Sequence, residues 1–412
     1  MTVFPPSRAS ISLAAARPNE RTTDCEDLAR GASDLHQDTL MLTNQSGDLL
    51  AFSHLRWDWV YQRPQHLMVR ASRDRRVFYF EEPVIGAEVA SLKINPVDRN
   101  LTVLTPQLPA GLSHEQYIAA QKNLLMEWLM RSRIVPQTLW YYTPAALEFS
   151  SQVNATTIVY DCMDELTAFA GASPDLRALE RQLIAKADVV FTGGISLYEA
   201  KRNLHNNVHA MPSCVDLAHF STARGMTAEF ERQAHVPQPR IGFCGVIDER
   251  LDLPLIDALA NMKPTWHFVF AGPVCKIDPA SLPSGSNVHY LGACAYTDLP
   301  HLMSGWDIGW MPFALNEATR FISPTKTPEY LAAGLPVVSS PIRDVVRTWG
   351  DEGFVSIAST ADEFSRALEE QLAARTSPSR LARIDRKLAL HSWDALWYRM
   401  DELMRFTSVN VA

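Results

Sequence analysis

Short runs of apolar and β-branched residues recur along the chain from Leu49 onward, and longer segments of helical period separate them. Such runs are typical of strands that are buried on both faces of a parallel sheet. In the first half they lie at Leu49–Ser53, Val77–Phe80, Leu101–Leu104, Leu139–Tyr142, Thr157–Tyr160 and Val189–Thr192, and a last strand is predicted within Val208–Phe220. Helices are predicted between them near residues 65–72, 114–133, 145–152, 176–185 and 197–204. This alternation predicts a doubly wound α/β domain whose ligands lie at the carboxyl ends of the strands.

The same alternation starts again at Arg240, after a polar segment with little apolar periodicity at residues 222–239. Its strands are predicted at Ile241–Gly245, Trp266–Ala271, Val288–Leu291, Ile308–Met311, Val337–Ser339 and Phe354–Ile357. Its helices are predicted near residues 255–262, 297–303, 327–333, 342–349 and 361–373, with a last helix at 378–406. The expected fold class is therefore α/β, with two Rossmann-like domains that face each other across a cleft.

The pattern also sets the expected domain bounds. The first domain covers residues 48–221, a linker covers 222–239, and the second domain covers 240–377. Residues 378–412 are expected to form a helix that packs back across the domains. Residues 1–47 mix Pro, Ser, Arg and Asp without a sustained period, which predicts a disordered or loosely attached extension.

Composition narrows the class of protein. A chain of 412 residues with 47% hydrophobic and 20% charged residues is typical of a soluble protein of two domains. The net charge of -8 argues against a nucleic-acid-binding protein. The six cysteines show neither a C-x-x-C pair nor metal-ligand spacing, and no apolar run approaches the roughly 20 residues that span a bilayer. We therefore expect a cytoplasmic protein without a metal site, which contacts a membrane only from its surface.

The stretch Ser323–Val338 gathers polar groups at the start of a predicted helix. Ser323 followed by Pro324 predicts an N-cap and a first helical residue, and Gly334 suits the position after the helix end. A helix start with a nearby lysine, here Lys326, favours an anion such as a diphosphate. Glu329 lies one turn further and can accept hydrogen bonds from two adjacent hydroxyls, such as those of a ribose. Local features leave open the alternative of an ordinary capped helix with a surface acid.

Four stretches inside this doubled pattern resemble the GT-B glycosyltransferases. They are His54–His66, Val159–Glu165, Ile241–Arg250 and Ser323–Val338. No single stretch is specific, but their order and spacing are most similar to the family-4-like (group 1) bacterial enzymes that build surface polysaccharides. The resemblance covers residues 49–406.

The resemblance implies that the second domain binds a UDP- or GDP-sugar donor. Glu329 matches the glutamate that holds the ribose hydroxyls. The other donor-binding residues that it implies are Ser323, Thr325 and Lys326 at the helix start, Gly245 and Arg250 in the first loop, and Gly272 beside the nucleobase. An alternative for Arg250 is a surface arginine that pairs with Asp252 or Glu249.

The chain departs from the family pattern at two positions. Phe321 stands where the family has a second glutamate, and Ile256 stands where a lysine usually follows the arginine. The sequence therefore does not identify the acid that contacts the sugar or the second positive charge that binds the phosphates. It also leaves open whether transfer retains or inverts the anomeric configuration. Lys326 is the candidate for the second positive charge.

The resemblance assigns acceptor binding to the first domain. Residues 54–76 contain six arginines against two aspartates, a balance of four positive charges in a chain that is negative overall. Aromatic residues alternate with these charges, as at anionic membrane surfaces. We expect Arg56, Trp57, Arg63 and Arg70 to form a face for a glycolipid or oligosaccharide acceptor and for peripheral contact with the anionic inner membrane. An equal alternative buries the aromatic residues beneath the first helix.

Sugar transfer needs a stabilised leaving diphosphate, which preorganised positive charge can supply without a metal or other cofactor. An inverting enzyme also needs a base near the attacking hydroxyl. Asp161 and His54 follow strands on the cleft side and are the catalytic candidates, although an aspartate after a strand is also a common loop former.

The predicted function is therefore a metal-independent glycosyltransferase of exopolysaccharide synthesis. Two alternatives stay open: a nucleotide-sugar epimerase of similar doubled fold, and a catalytically silent nucleotide-sugar-binding scaffold of a polysaccharide assembly complex. A Rossmann oxidoreductase is disfavoured, because no G-x-G-x-x-G motif follows either first strand.

Overall fold

The computed structural model of the protein describes residues 47–169, 171–374 and 377–409. The predicted N-terminal extension lies outside these ranges except for its last residue. Residues 47–412 form one compact unit that contains two β-sheets.

The first sheet is built from the first half of the described chain. Its strands are β1 (Leu49–Phe52), β2 (Val77–Phe80), β3 (Val84–Ile85), β4 (Ser91–Asp98), β5 (Leu101–Leu108), β6 (Thr138–Tyr141), β7 (Thr157–Cys162), β8 (Val189–Thr192) and β9 (Val208–Ala210). The order is β3-β5-β2-β1-β6-β7-β8-β9, all parallel, and β4 pairs antiparallel with β5. The predicted strand positions are close to these, but the apolar pattern missed β3 and β4. Most residues of β4 are exposed, so the strand lacks a buried run.

Helices cover both faces of this sheet. They are α1 (Arg63–Ala71), α2 (His114–Ser132), α3 (Leu147–Ser150), α4 (Leu176–Lys186) and α5 (Ile195–Lys201). The next helix, α6 (Leu217–Ser221), packs on the second domain instead, where Phe220 joins its core. Successive residues of β1 enter different cores: Leu49 packs in one with Leu67 of α1, whereas Leu50 packs in the other with Leu125 of α2. Burial on both faces explains why these strands read as continuous apolar runs.

The second sheet contains β10 (Arg240–Cys244), β11 (His267–Ala271), β12 (Val288–Gly292), β13 (Ile308–Met311), β14 (Val337–Ser339) and β15 (Ser356–Ile357). Its order is β12-β11-β10-β13-β14-β15, and every pair is parallel. The accompanying helices are α7 (Leu253–Met262), α8 (Leu299–Ser304), α9 (Lys326–Ala332), α10 (Arg343–Val345) with a π-helical continuation at Val346–Gly350, and α11 (Ala361–Ala373). The expected fold class of two Rossmann-like domains is thus confirmed.

The C-terminal segment forms two helices where the apolar period predicted one. They are α12 (Pro378–Leu388) and α13 (Trp393–Val409). Ser392 ends the break between them, because its side-chain oxygen accepts a hydrogen bond from the Ala395 N–H at 3.0 Å. Leu388 packs into the core of the second domain, whereas Trp393 and Trp397 pack into the core of the first. The chain therefore returns to the first domain after it has completed the second.

A group of side chains from α5 and α10, which we call the interdomain clasp, joins the two domains. The buried Asp344 carboxylate accepts hydrogen bonds from the backbone N–H of Ser196 at 3.0 Å and from its hydroxyl at 2.5 Å. Glu199, one turn along α5, pairs with Arg343 and Arg347 at 2.9 Å each. The clasp thus combines a buried helix cap with two partly exposed ion pairs.

Candidate active site

The loops that leave β10 and β11 are pressed together at the carboxyl edge of the second sheet. The Gly245 N–H donates to the Ala271 carbonyl at 2.9 Å. A β-carbon on Gly272 would lie 1.8 Å from the Gly245 carbonyl oxygen, and one on Gly245 would lie 2.9 Å from Cε of Lys326. The approach to a backbone oxygen admits only glycine at position 272, and a φ of +150° favours glycine at position 245. The structure therefore brings the predicted residues Gly245, Gly272 and Lys326 together.

Helix α9 begins at Lys326, and its N-cap is Thr325. The prediction that Ser323 caps the helix is therefore wrong. Pro328 explains the shift, because it occupies the third helical position, whose N–H has no acceptor inside the helix, so a proline is tolerated there. The Nζ of Lys326 donates a hydrogen bond to the hydroxyl oxygen of Thr325 at 3.3 Å. The helix start is partly accessible, with Ser323 two residues before the cap.

Glu329 is 9% exposed and lies on the first turn of α9. Burial raises the pKa of its carboxyl to about 7, although the Lys326 charge and a hydrogen bond from Thr325 act in the opposite direction. The next residue, Tyr330, fixes the helix against β10, since its hydroxyl accepts a hydrogen bond from the Cys244 N–H at 2.8 Å. A buried carboxyl beside a lysine in a cleft is a typical environment of a functional residue.

Arg250 pairs with Asp248, which is neither of the two partners that the sequence suggested. Nε and Nη2 of the arginine lie 2.9 and 2.7 Å from the two carboxylate oxygens. Asp252 instead caps α7 by accepting a hydrogen bond from the Leu255 N–H at 3.0 Å. The Arg250 side chain keeps 24% of its surface exposed, so the ion pair leaves it accessible.

An aromatic ring of the first domain lies between two cations of the second. The Arg250 guanidinium is 5.7 Å from the centre of the Phe169 ring, and Nζ of Lys276 is 5.0 Å from the same centre. Both distances fit cation–π contacts. The first domain therefore reaches the charged loops of the second at this point.

Asp161 lies in a fully buried ion pair with Arg63. Nε of the arginine is 3.0 Å from Oδ2 and Nη2 is 2.8 Å from Oδ1, while Nη1 donates to the Met211 carbonyl at 2.7 Å. The side chains are 0% and 1% exposed. The geometry contradicts the predicted role of Asp161 as a proton acceptor, because the guanidinium occupies both oxygens and no solvent reaches them. The pair instead ties β7 to α1.

Asp164, three residues further along, is the aspartate of this stretch that meets the charged loops of the second domain. Its side chain is partly exposed. Burial raises the pKa of its carboxyl to about 6, and the Asp248 charge adds to this, whereas the Arg250 and Lys326 charges lower it. Asp161 and Asp164 lie three residues apart in the sequence, and only packing against Arg63 distinguishes them.

His54 follows β1 and faces the second domain. Burial and the charge of Lys276 lower the pKa of its imidazole to about 4, so the ring is neutral at neutral pH and binds a proton weakly. Within the part of the chain that the structure describes, its Nδ1 is buried without a hydrogen-bond partner. His54 is therefore suited to a hydrogen bond with a ligand, and its low pKa disfavours the predicted role of base.

The predicted basic face of the first domain is largely turned inward. Trp57 is 9% exposed and packs edge-on against Tyr79, with ring centres 5.1 Å apart. Arg63 is buried, and Arg70 pairs with Asp394 of α13 at 3.1 Å. The carboxylates that neutralise the arginines of residues 63–76 are Asp48, Asp74, Asp161, Asp394 and Asp401. The prediction of an exposed face does not hold for Trp57 and Arg63, because both side chains are buried. Most carboxylates that pair with the arginines are remote in sequence, so a local reading of the segment does not find them.

No helix in the described ranges is both long enough and apolar enough to cross a membrane. Among the same residues, no three or more His, Cys, Asp or Glu side chains are grouped so that they would hold a metal ion.

Comparison with known proteins finds a glycosyltransferase domain in the second half of the chain. Residues 238–374, which include α9 and both glycine loops, match the family model "Glycosyl transferases group 1". A relative from Bacillus subtilis strain 168, "Putative teichuronic acid biosynthesis glycosyltransferase TuaH", is 29% identical over 217 residues. The match covers 49% of this chain and 55% of the relative, so the chain spans about half the length of that relative.

Solved structures share the fold at low identity. A sucrose-phosphate synthase from Thermosynechococcus elongatus superimposes with a TM-score of 0.65 at 15% identity, over 87% of this chain and 98% of that one. An alpha,alpha-trehalose-phosphate synthase (UDP-forming) from Burkholderia xenovorans gives 0.64 at 13%, over 88% and 100%. The catalytic domain of starch synthase IV from Arabidopsis thaliana gives 0.62 at 10%, over 88% and 99%. The chain therefore has the GT-B fold of these structures, and its residues 238–374 are similar to the group 1 glycosyl transferases.

Proposed function

We propose that the protein transfers a sugar from a UDP- or GDP-sugar donor to a glycolipid or oligosaccharide acceptor in the synthesis of a cell-surface polysaccharide. The observation that carries the proposal is the convergence of Lys326, Glu329 and the two glycine loops at one edge of the second sheet. The group 1 domain supports the class of reaction. The teichuronic acid relative supports the class of product.

The donor fits this edge in a defined orientation. Its diphosphate meets the start of α9, Lys326 and the accessible Arg250, since a helix start and two cations favour an anion. The Glu329 carboxylate accepts hydrogen bonds from the ribose hydroxyls. In this orientation the nucleobase lies beside the Gly272 loop.

The chemistry follows from these charges. The acceptor hydroxyl oxygen bonds to the anomeric carbon of the sugar, and the bond from that carbon to the diphosphate breaks. Lys326 and Arg250 stabilise the charge of the leaving diphosphate, so we propose that transfer needs no metal ion. Asp164, whose pKa the Arg250 charge lowers, accepts the proton of the attacking hydroxyl in this proposal.

Nucleotide binding tests the donor site. We expect UDP or GDP, titrated in the presence of EDTA, to raise the melting temperature of the wild-type protein. Lys326→Ala and Glu329→Ala should each weaken binding by about 10- to 100-fold, because each removes a charge-assisted contact. Lys93→Ala and Glu88→Ala serve as controls, since both side chains are exposed on the first domain.

The outcomes separate the alternatives. If neither nucleotide stabilises the protein and the two site variants match the controls, the proposal fails. Donor epimerisation without an acceptor would support the epimerase. Tight binding without turnover on any acceptor would support the scaffold.

A further inference from the structure

A buried lysine of the first domain holds a loop that reaches the second domain. The loop comprises residues 163–169, which directly follow β7 and carry Asp164 and Phe169, and we call it the Asp164 loop. Nζ of Lys201, at the end of α5, lies 2.6 Å from Oε2 of Glu165 in this loop. The ion pair is therefore one residue away from Asp164 along the chain, outside the donor site.

Two carboxylates neutralise Lys201. Besides its contact with Glu165, Nζ donates hydrogen bonds to both oxygens of Glu180 on α4, at 2.8 and 2.7 Å. Glu180 also accepts a hydrogen bond from the hydroxyl of Tyr160 on β7 at 2.8 Å. The side chains of Lys201, Glu165 and Glu180 are 6%, 13% and 8% exposed. Because a buried charge is costly to separate from its partner, this cluster fixes Glu165 against α4 and α5.

Glu165 passes this restraint to the rest of the loop. Its other carboxylate oxygen accepts a hydrogen bond from the Thr167 hydroxyl at 2.5 Å, and its carbonyl accepts one from the Ala168 N–H at 2.9 Å. The start of the loop is closely packed, since a β-carbon on Gly193 after β8 would lie 2.5 Å from the Met163 carbonyl oxygen. Both the start and the turn of the loop are therefore held by the first domain.

Helix α5 also connects the loop to the second domain. Lys201 is the last residue of α5, and Ser196 near its start donates to Asp344 in the interdomain clasp at 3.0 Å. At the far end of the loop, the ring of Phe169 lies 5.7 Å from the guanidinium of Arg250. The Asp164 loop thus meets the second domain by two routes, directly through Phe169 and indirectly through α5 and the clasp.

We propose that the pair of Lys201 and Glu165 positions Asp164 for sugar transfer. The pair touches no substrate and takes part in no bond change. It fixes the loop, and the fixed loop holds the Asp164 carboxylate where the acceptor hydroxyl meets the donor. Such positioning matters because a misplacement of about 1 Å can cost about 100-fold in rate. The inference rests on the proposed glycosyltransferase function and on the role of Asp164 in it.

Substitution of Glu165 tests the proposal. Lys201→Met would leave two buried carboxylates without their partner, whereas loss of Glu165 leaves Lys201 paired with Glu180. Release of UDP or GDP is measured with UDP-glucose or GDP-mannose and an aryl glucoside as acceptor. Glu165→Leu should lower kcat by about 10- to 100-fold and leave the KM for the donor within about threefold.

Two variants distinguish positioning from stability. Glu165→Gln keeps an oxygen for the Lys201 ammonium and an N–H for the Thr167 hydroxyl, so its kcat should stay within about threefold of the wild type. Glu180→Gln changes the other carboxylate of the cluster and leaves the contact between Lys201 and the loop. Its melting temperature should fall while its kcat also stays within about threefold. Full kcat in Glu165→Leu, or equal losses of kcat in Glu165→Leu and Glu180→Gln, would overturn the proposal.

Hydrogen–deuterium exchange examines the loop without any turnover. Peptides that cover residues 163–169 should exchange about tenfold faster or more in Glu165→Leu, and at the wild-type rate in Glu165→Gln. Unchanged exchange in Glu165→Leu would overturn the proposal whatever the activity. Nucleotide-induced stabilisation should persist in every variant, because none of them alters the donor site. If exchange rises as expected but the wild type binds no nucleotide and transfers no sugar, the proposed function is the part that fails.

Discussion

Two aspartates of one short stretch, Asp161 and Asp164, belong to different parts of the molecule. Asp161 of β7 forms a buried ion pair with Arg63, and the two side chains are 0% and 1% exposed. Asp164 is partly exposed, and its carboxyl senses the charge of Arg250, whose own side chain is 24% exposed. Both aspartates have a nearby arginine and a raised pKa. Accessibility therefore separates a residue that holds the fold from one that can meet a substrate.

The largest expected effect comes from breaking the sealed pair. Arg63→Met leaves the Asp161 carboxylate buried without its partner, and we expect the free energy of unfolding to fall by about 3–5 kcal/mol. Arg76→Met is the matched control, since Arg76 pairs with Asp48 at the surface with 58% of its side chain exposed. The control should cost at most about 1 kcal/mol. Urea unfolding of both variants measures the difference, and equal midpoints would contradict a structural role for Arg63.

The next effect concerns the open aspartate. Asp164→Asn should lower kcat by about 100-fold or more, because the amide cannot take the proton of the acceptor hydroxyl. Its melting temperature should stay close to that of the wild type, unlike that of Arg63→Met. Asp58→Asn, which changes an exposed aspartate of the same domain, is the control. Full activity of Asp164→Asn would remove Asp164 from the proposed mechanism.

The smallest expected effect is a pH dependence of donor binding. The pKa of Glu329 is raised from 4.5 to about 7, so its carboxyl is protonated in the empty site at acidic pH and can then accept fewer hydroxyl hydrogen bonds. We expect the affinity for a nucleoside diphosphate to rise roughly tenfold as pH increases through 7. The empty protein shows the opposite sign, since the raised pKa means that stability is lost as pH rises from 4.5 to about 7.

Calorimetric titrations between pH 5.5 and 8.5 measure this dependence, at about half-unit steps on either side of the Glu329 pKa. In the Glu329→Gln variant the bound diphosphate still titrates, but residue 329 does not. The affinity of this variant should therefore lack the part of the pH dependence that comes from the Glu329 carboxyl. The 2′-deoxynucleotide, which offers one hydroxyl less, should show a smaller one. Identical profiles for wild type and Glu329→Gln would separate Glu329 from ribose binding.

Much of the fold could be predicted because most strands of both sheets are buried runs of apolar residues. Val77–Phe80, Val189–Thr192, Ile308–Met311 and Val337–Ser339 have the same bounds in the prediction and in the structure. The missed strand β4 shows the limit of this signal, since its residues are mostly exposed and its position depends on pairing with β5.

The site was less predictable because its contacts join remote parts of the chain. The pair of Arg70 and Asp394 spans 324 residues, so a local window reads Arg70 as a free surface charge. The helix start was misplaced by a local rule, since Ser-Pro suits a cap but Thr325 takes that position. Lys201 carried no motif at all. The one signal for Lys201 in the sequence was its position in the last turn of a predicted helix, where a lysine is common for other reasons.

The interdomain clasp has a mechanical consequence. It joins the β8 side of the first sheet to the β14 side of the second, whereas the loops after β2 and β11 lie on the opposite side. Four strand spacings separate β8 from β2, which is a lever arm of about 19 Å. A rotation of about 10° about the clasp would therefore move the loops after β2 and β11 by about 3 Å relative to each other, roughly the length of one hydrogen bond. A small change of angle at the clasp would thus be amplified at the opposite side of the two sheets.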